Sequence, residues 1–91
     1  MQKCSVVYVL SAEKKLHALD RSVAKRIAKK IEQYSLSPNP LTEAKSLSGA
    51  LKGFYRYRVG DYRIIFSINI SGEITIVTIL DIAHRKDVYR K

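Results

Sequence analysis

Residues 54–66 read Phe-Tyr-Arg-Tyr-Arg-Val-Gly-Asp-Tyr-Arg-Ile-Ile-Phe. Two runs of aromatic and β-branched residues flank Gly60-Asp61, the pattern of a β-hairpin closed by a two-residue turn with Gly at its first central position. Counting outward from that turn sets Val59 against Tyr62, Arg58 against Arg63, Tyr57 against Ile64 and Arg56 against Ile65. Side chains alternate across a strand, so Arg56, Arg58 and Arg63 share one face, while Tyr55, Tyr57, Tyr62, Ile64 and Phe66 share the other. The aromatic face can pack on a helix layer. The basic face sets like charges directly opposite one another, which costs stability. A bound polyanion is the simplest compensation, and a merely solvated face is the bland alternative.

Upstream, Cys4 to Leu10 carries apolar residues on both faces, which predicts a first strand buried within the sheet. Ser11 is a candidate cap for a helix reaching about Leu19, with Glu13 in its first turn, where the helix dipole favours a carboxylate. Leu16, Leu19, Val23, Ile27, Ile31 and Tyr34 recur at three- and four-residue intervals. With Asp20 as a second cap, they predict a short helix, a tight corner and a longer helix to about Tyr34. The outward faces carry Lys14, Lys15, Arg21, Lys25, Arg26, Lys29 and Lys30, either a solvated surface or a phosphate contact. Pro38 and Pro40 end the second helix.

Leu41 to Lys52 is the least patterned segment and reads as a connection, with Leu47 and Leu51 as anchors and Lys45 and Lys52 exposed. Downstream of the hairpin, Ser71-Gly72 marks another turn. Glu73 to Ala83 then alternates Ile74, Ile76, Thr78, Leu80 and Ile82 against Thr75, Val77 and Ile79, a strand with two apolar faces. His84 to Lys91 leaves its end as a polar tail or single helical turn. The order β-α-α-β-β-β predicts an α+β fold, with two N-terminal helices packed on one face of a mostly antiparallel four-stranded sheet. The whole of 1–91 forms one domain, of a length that can fold alone.

A formal charge of +9, from 17 Lys and Arg against 8 Asp and Glu, favours nucleic acid, an acidic protein or an anionic membrane surface as partner. The single Cys4 precludes an internal disulfide and suits a small apolar role. No apolar run is long enough for a bilayer span or a signal peptide, so the expected location is cytoplasmic. Two histidines, His17 and His84, and no spaced carboxylate group argue against a metal site. Neither a glycine-rich nucleotide loop nor a serine nucleophile elbow is present, and no cofactor is expected.

What remains is the arginine set, joined by whichever of His84, Arg85 and Tyr89 the last strand brings near. These residue types fit metal-independent RNA cleavage, in which the 2′-hydroxyl attacks its own phosphate. That reaction needs a proton acceptor, stabilisation of the phosphorane oxygens and a proton for the departing 5′-oxygen. Guanidinium groups suit the second task and, with their firmly held protons, not the first. An imidazole can work either way, so His84 is the candidate base, with a helix cap as its alternative role. Tyr89 can stack on a base, donate a proton or simply pack over the sheet.

The hairpin, together with Leu80-Asp-Ile-Ala-His-Arg-Lys-Asp-Val-Tyr89, resembles the RelE branch of the RelE/ParE toxin superfamily of bacterial and archaeal toxin-antitoxin systems. The resemblance spans nearly the whole chain; its two quoted motifs are specific and its helices generic. It implies a type II toxin that acts as a ribosome-dependent endoribonuclease, cutting messenger RNA in the ribosomal A site. Messenger and the ribosome's small subunit would then be its targets, and a cognate RelB-like antitoxin would silence it. The resemblance further implies that Arg56 and Arg58 match a basic pair on the second strand and Arg63 a phosphate-binding arginine on the third. His84, Arg85 and Tyr89 match C-terminal basic and aromatic positions, and Lys45, Lys52 and Arg85 count as substrate-binding candidates. Arginines stand where the best-known members carry lysines, which leaves the general base open. ParE-like relatives share the fold and poison DNA gyrase, so a gyrase inhibitor and a non-enzymatic basic binding module are the alternatives.

Overall fold

A computed structural model of the protein describes residues 3–88. Its elements are β1 (Lys3–Tyr8), α1 (Leu10–His17), α2 (Arg21–Ser35), β2 (Ala44–Ser46), β3 (Tyr55–Val59), β4 (Tyr62–Ser71), β5 (Ile74–His84) and α3 (Arg85–Val88). The strands form one sheet in the order β1-β5-β4-β3-β2. Among the described residues only β1 and β5 pair in parallel; the other three pairings are antiparallel.

The hairpin β3–β4 has the register that the turn demands, Val59 facing Tyr62, Arg58 facing Arg63, Tyr57 facing Ile64 and Arg56 facing Ile65. Gly60 takes φ of 58°, and no residue other than glycine has positive φ among the described residues. A first central residue in that region followed by one outside it fits the primed turn with glycine in its first place. Gly60 also has Arg26 of α2 against it: a Cβ there would lie 2.5 Å from the guanidinium.

The helices cover one face. Ile27 and Ile31, one turn apart on α2, and Ala12 and Leu16 on α1 meet Tyr57, Val59, Ile64, Phe66, Val77, Ile79 and Ile82 in a single core. The rings of Tyr57 and Phe66 stack at 4.2 Å between centroids, and Tyr34 tilts against Tyr57 at 5.1 Å. Among the described residues the opposite sheet face has no helix layer.

Four expectations are corrected. The sheet has five strands, because Ala44–Ser46 inside the presumed connection pairs with Tyr55–Tyr57; so short a polar edge strand rests on backbone pairing and leaves no apolar alternation to read. β1 is an edge strand: Cys4, Val6 and Tyr8 pack on the core, whereas Val7, on the uncovered face, is 48% exposed. Ser11 lies within α1, whose N-cap is Val9, held extended by its N–H to the Ile79 carbonyl at 3.0 Å. Asp20, by contrast, occupies the α2 N-cap as expected, without a side-chain capping bond.

The fourth correction concerns β5. Phe66 pairs with Ile79 and Ile65 with Asp81, so Leu80 is an extra residue in a β-bulge. Burial follows: Thr75, Val77 and Ile79 face the core, and the next core residue is Ile82, three positions on instead of two. The bulge therefore turns Asp81 and Ala83 onto the uncovered face and His84 toward the helix side.

Candidate functional site

The uncovered face is built rung by rung. Lys45, Arg56, Ile65 and Asp81 form one rung across β2, β3, β4 and β5, and Arg58, Arg63 and Ala83 form the rung nearer the hairpin turn. Arg56, Arg58 and Arg63 thus share a face, Arg58 exposed and the other two half-buried. Neither Arg58 nor Arg63 has an ion-pair partner among the described residues, so their charge is available to an outside anion.

Beside them lies an open hollow of about 470 Å³. Ile65, only 8% exposed, and Ala83 line it from the sheet. Leu51, the last residue of a 3-10 turn over Gly49–Leu51, and Phe54 just beyond it line it together with Leu80 at the bulge. Its polar lining is Arg63, Asp81 and Lys15. Lys15 comes from α1 and sets its ammonium 2.6 Å from the Asp81 carboxylate, whose same oxygen accepts the Ile82 backbone N–H at 3.0 Å. An apolar floor bordered by the cations of Arg63 and Lys15 suits a phosphodiester carrying a flat base.

The other sequence candidates fall elsewhere. His84 pairs with Tyr62 and meets its ring edge-on at 5.0 Å, on the face opposite the arginines, while its Nδ1 accepts the Lys86 backbone N–H at 3.1 Å. The structure does not bring His84 together with Arg58 and Arg63. Arg85 is exposed beside the hairpin turn, its guanidinium 3.7 Å from Asp61 and its N–H donating to the Asp61 carbonyl at 2.7 Å. Lys52 is exposed just after the 3-10 turn and does not line the hollow. Tyr89 lies outside the described residues. Lys15 and Asp81 are the lining residues that pattern reading missed: Lys15 looked like one of many helix-surface lysines, and nothing local in the sequence announces the bulge that re-aims Asp81.

Burial pushes the Cys4 thiol up, as befits a packing residue. Among the described residues no group of three His, Cys, Asp or Glu side chains could hold a metal ion. No helix there is long and apolar enough to cross a membrane.

Two helices packed on one face of a mixed sheet make this fold RelE-like. A family model described as the ParE toxin of the type II toxin-antitoxin system parDE matches residues 6–89. The chain belongs to this family, within the RelE/ParE superfamily, and is a toxin of the type II toxin-antitoxin class. It is 33% identical to Toxin RelG of Mycobacterium tuberculosis over 90 residues, 96% of this chain and 97% of that one. Among solved structures it is similar to the toxin in the RelBE2 toxin-antitoxin complex of M. tuberculosis, with TM-score 0.67, 28% identity and coverage of 93% and 94% of the two chains. It is likewise similar to the archaeal RelE-RelB complex of Pyrococcus horikoshii, with TM-score 0.67, 26% identity and coverage of 93% and 97%.

Proposed function

We propose that this toxin cleaves messenger RNA on the ribosome, without a metal or other cofactor, and that Arg56, Arg58 and Arg63 stabilise the charge gathering on the phosphorane. The observation that carries this reading is the directly opposed couple Arg58 and Arg63, without an ion-pair partner among the described residues, beside a hollow able to seat a nucleotide. In the reaction the 2′-hydroxyl oxygen bonds to the adjacent phosphorus and the bond to the 5′-oxygen breaks. The products are a 2′,3′-cyclic phosphate and a 5′-hydroxyl. Water accepts the first proton and supplies the second in this reading, because His84 stands on the other face. Tyr89 keeps its proposed part as a stacking or proton-donating residue.

Guanidinium groups with no dedicated base make a weak nuclease, and alignment of the substrate by the ribosome supplies what they lack. Lys45 extends the basic face by one rung, and Lys52 and Arg85 are proposed as backbone contacts around it. A RelB-like antitoxin is the proposed protein partner, supported by the antitoxin complexes of the similar toxins. An amphipathic helix is a fitting form for its contact. Arg63→Ala should abolish messenger cleavage in a translation extract while the protein stays folded; full cleavage by that variant would overturn the assignment.

The matching family description, a ParE toxin, favours one second reading, inhibition of DNA gyrase. It predicts trapped gyrase complexes and intact messenger when the toxin is expressed.

A further inference from the structure

β5 outruns β1. Their last pair is Tyr8 with Ile79, so from Leu80 onward β5 has no strand on that side, and α1 packs against it instead. Ala12 and Leu16 anchor α1 in the core, and Lys15, next to Leu16, reaches past the strand to Asp81 on the uncovered face. We propose that Lys15 is a phosphate-contacting residue of the hollow and that Asp81, aimed there by the bulge at Leu80, is the positioning residue that holds it. This inference rests on the reading of the hollow as an RNA site.

The energetics favour a directing role over a stabilising one. Both groups are about half exposed, 55% for Lys15 and 42% for Asp81, and ion pairs so exposed contribute little to folding. An acid inside a basic hollow also repels the anion expected there, a cost with no return unless it fixes something. An ammonium has three donors. One is taken by Asp81, and the others are left for phosphate oxygens beside Arg63.

The test uses a uniformly 2′-O-methyl RNA hexanucleotide, which binds and cannot be cut, titrated into the whole protein over a range of salt. Each phosphate contact to a single strand contributes a slope of about 0.7 in log affinity against log salt. Lys15→Ala should lower the slope by that amount and weaken binding about eightfold at ~50 mM salt, and Lys15→Arg should restore the slope. Asp81→Ala should weaken binding too, although it makes the protein more positive, and Asp81→Glu should recover part of the loss. Circular dichroism should be unchanged in all four variants.

An unaltered slope in Lys15→Ala, tighter binding in Asp81→Ala, or no binding by the wild type would each overturn the proposal. Cleavage lost in Arg63→Ala with an unaltered Lys15→Ala slope would sink this inference and leave the nuclease reading standing. The expected slopes with no cleavage by the wild type on ribosomes would do the reverse.

Discussion

Arg58 and Arg63 are direct cross-strand partners on the uncovered sheet face, and no carboxylate among the described residues pairs with either. Opposed like charges destabilise a sheet by about 0.2–1 kcal/mol. Arg63→Met keeps the apolar stem and deletes the charge, so it should raise unfolding free energy in urea by about that amount while cleavage is lost. A drop in stability would mean that the guanidinium serves the fold and not a ligand.

At the turn beside that pair, Gly60 combines φ of 58° with a guanidinium that a Cβ would meet at 2.5 Å. A side chain in the left-handed region costs about 1–2 kcal/mol. Gly60→Ala should therefore lower the urea midpoint by at least that equivalent. The double variant Arg26→Ala/Gly60→Ala should recover only the part due to the clash. Full recovery would show that the backbone conformation is free to change.

The hairpin was legible because a two-residue turn fixes register by counting, and the faces of Arg56, Arg58 and Arg63 follow from it. The helices were legible because Ile27 and Ile31 repeat at one turn. Position within the sheet was not: the apolar outer face of β1 suggests a covered strand, and only the assembled sheet shows Val7 at an uncovered edge. The bulge was the costlier omission. Counting by twos along β5 puts His84 in the series of Leu80, whereas the extra residue sends it to the side of Tyr62 and delivers Asp81 in its place. A one-residue irregularity reverses every side chain beyond it, and no residue type in this stretch signals it.

Tyr57 is buried, donates its phenol O–H to the Pro40 carbonyl at 2.7 Å, and ties the loop after α2 to β3. Tyr57→Phe should cost about 0.5–1.5 kcal/mol, the net worth of such a bond. Burial, the largest cause, also pushes the phenol above its ordinary pKa of 10.0. The unfolded chain therefore loses this proton at lower pH than the folded one, so the native state binds more protons above about pH 10 and stability falls there as pH rises. Tyr8, raised by burial and by Glu32, adds to the same alkaline decline. Denaturant melts from pH 8 to 11 should show a shallower loss in Tyr57→Phe than in the wild type; parallel curves would assign the decline to other groups.

His84 offers the sharpest division between pattern and geometry. Its register partner is Tyr62, its ring sits edge-on to that phenol, and Nδ1 is occupied by the Lys86 N–H, all on the face away from Arg58 and Arg63. A general base contributes about 10²–10⁴-fold to a rate. His84→Ala should therefore leave ribosome-dependent cleavage within about tenfold of wild type, well short of a base's contribution. Any loss that does occur should track stability, since the ring packs on Tyr62. The measurement is a single-turnover time course on ribosome-bound messenger, run beside Arg63→Ala. A thousandfold loss in His84→Ala with unchanged unfolding would mean that the end of β5 turns over on the ribosome and brings the imidazole to the arginine face, restoring it as the proton acceptor.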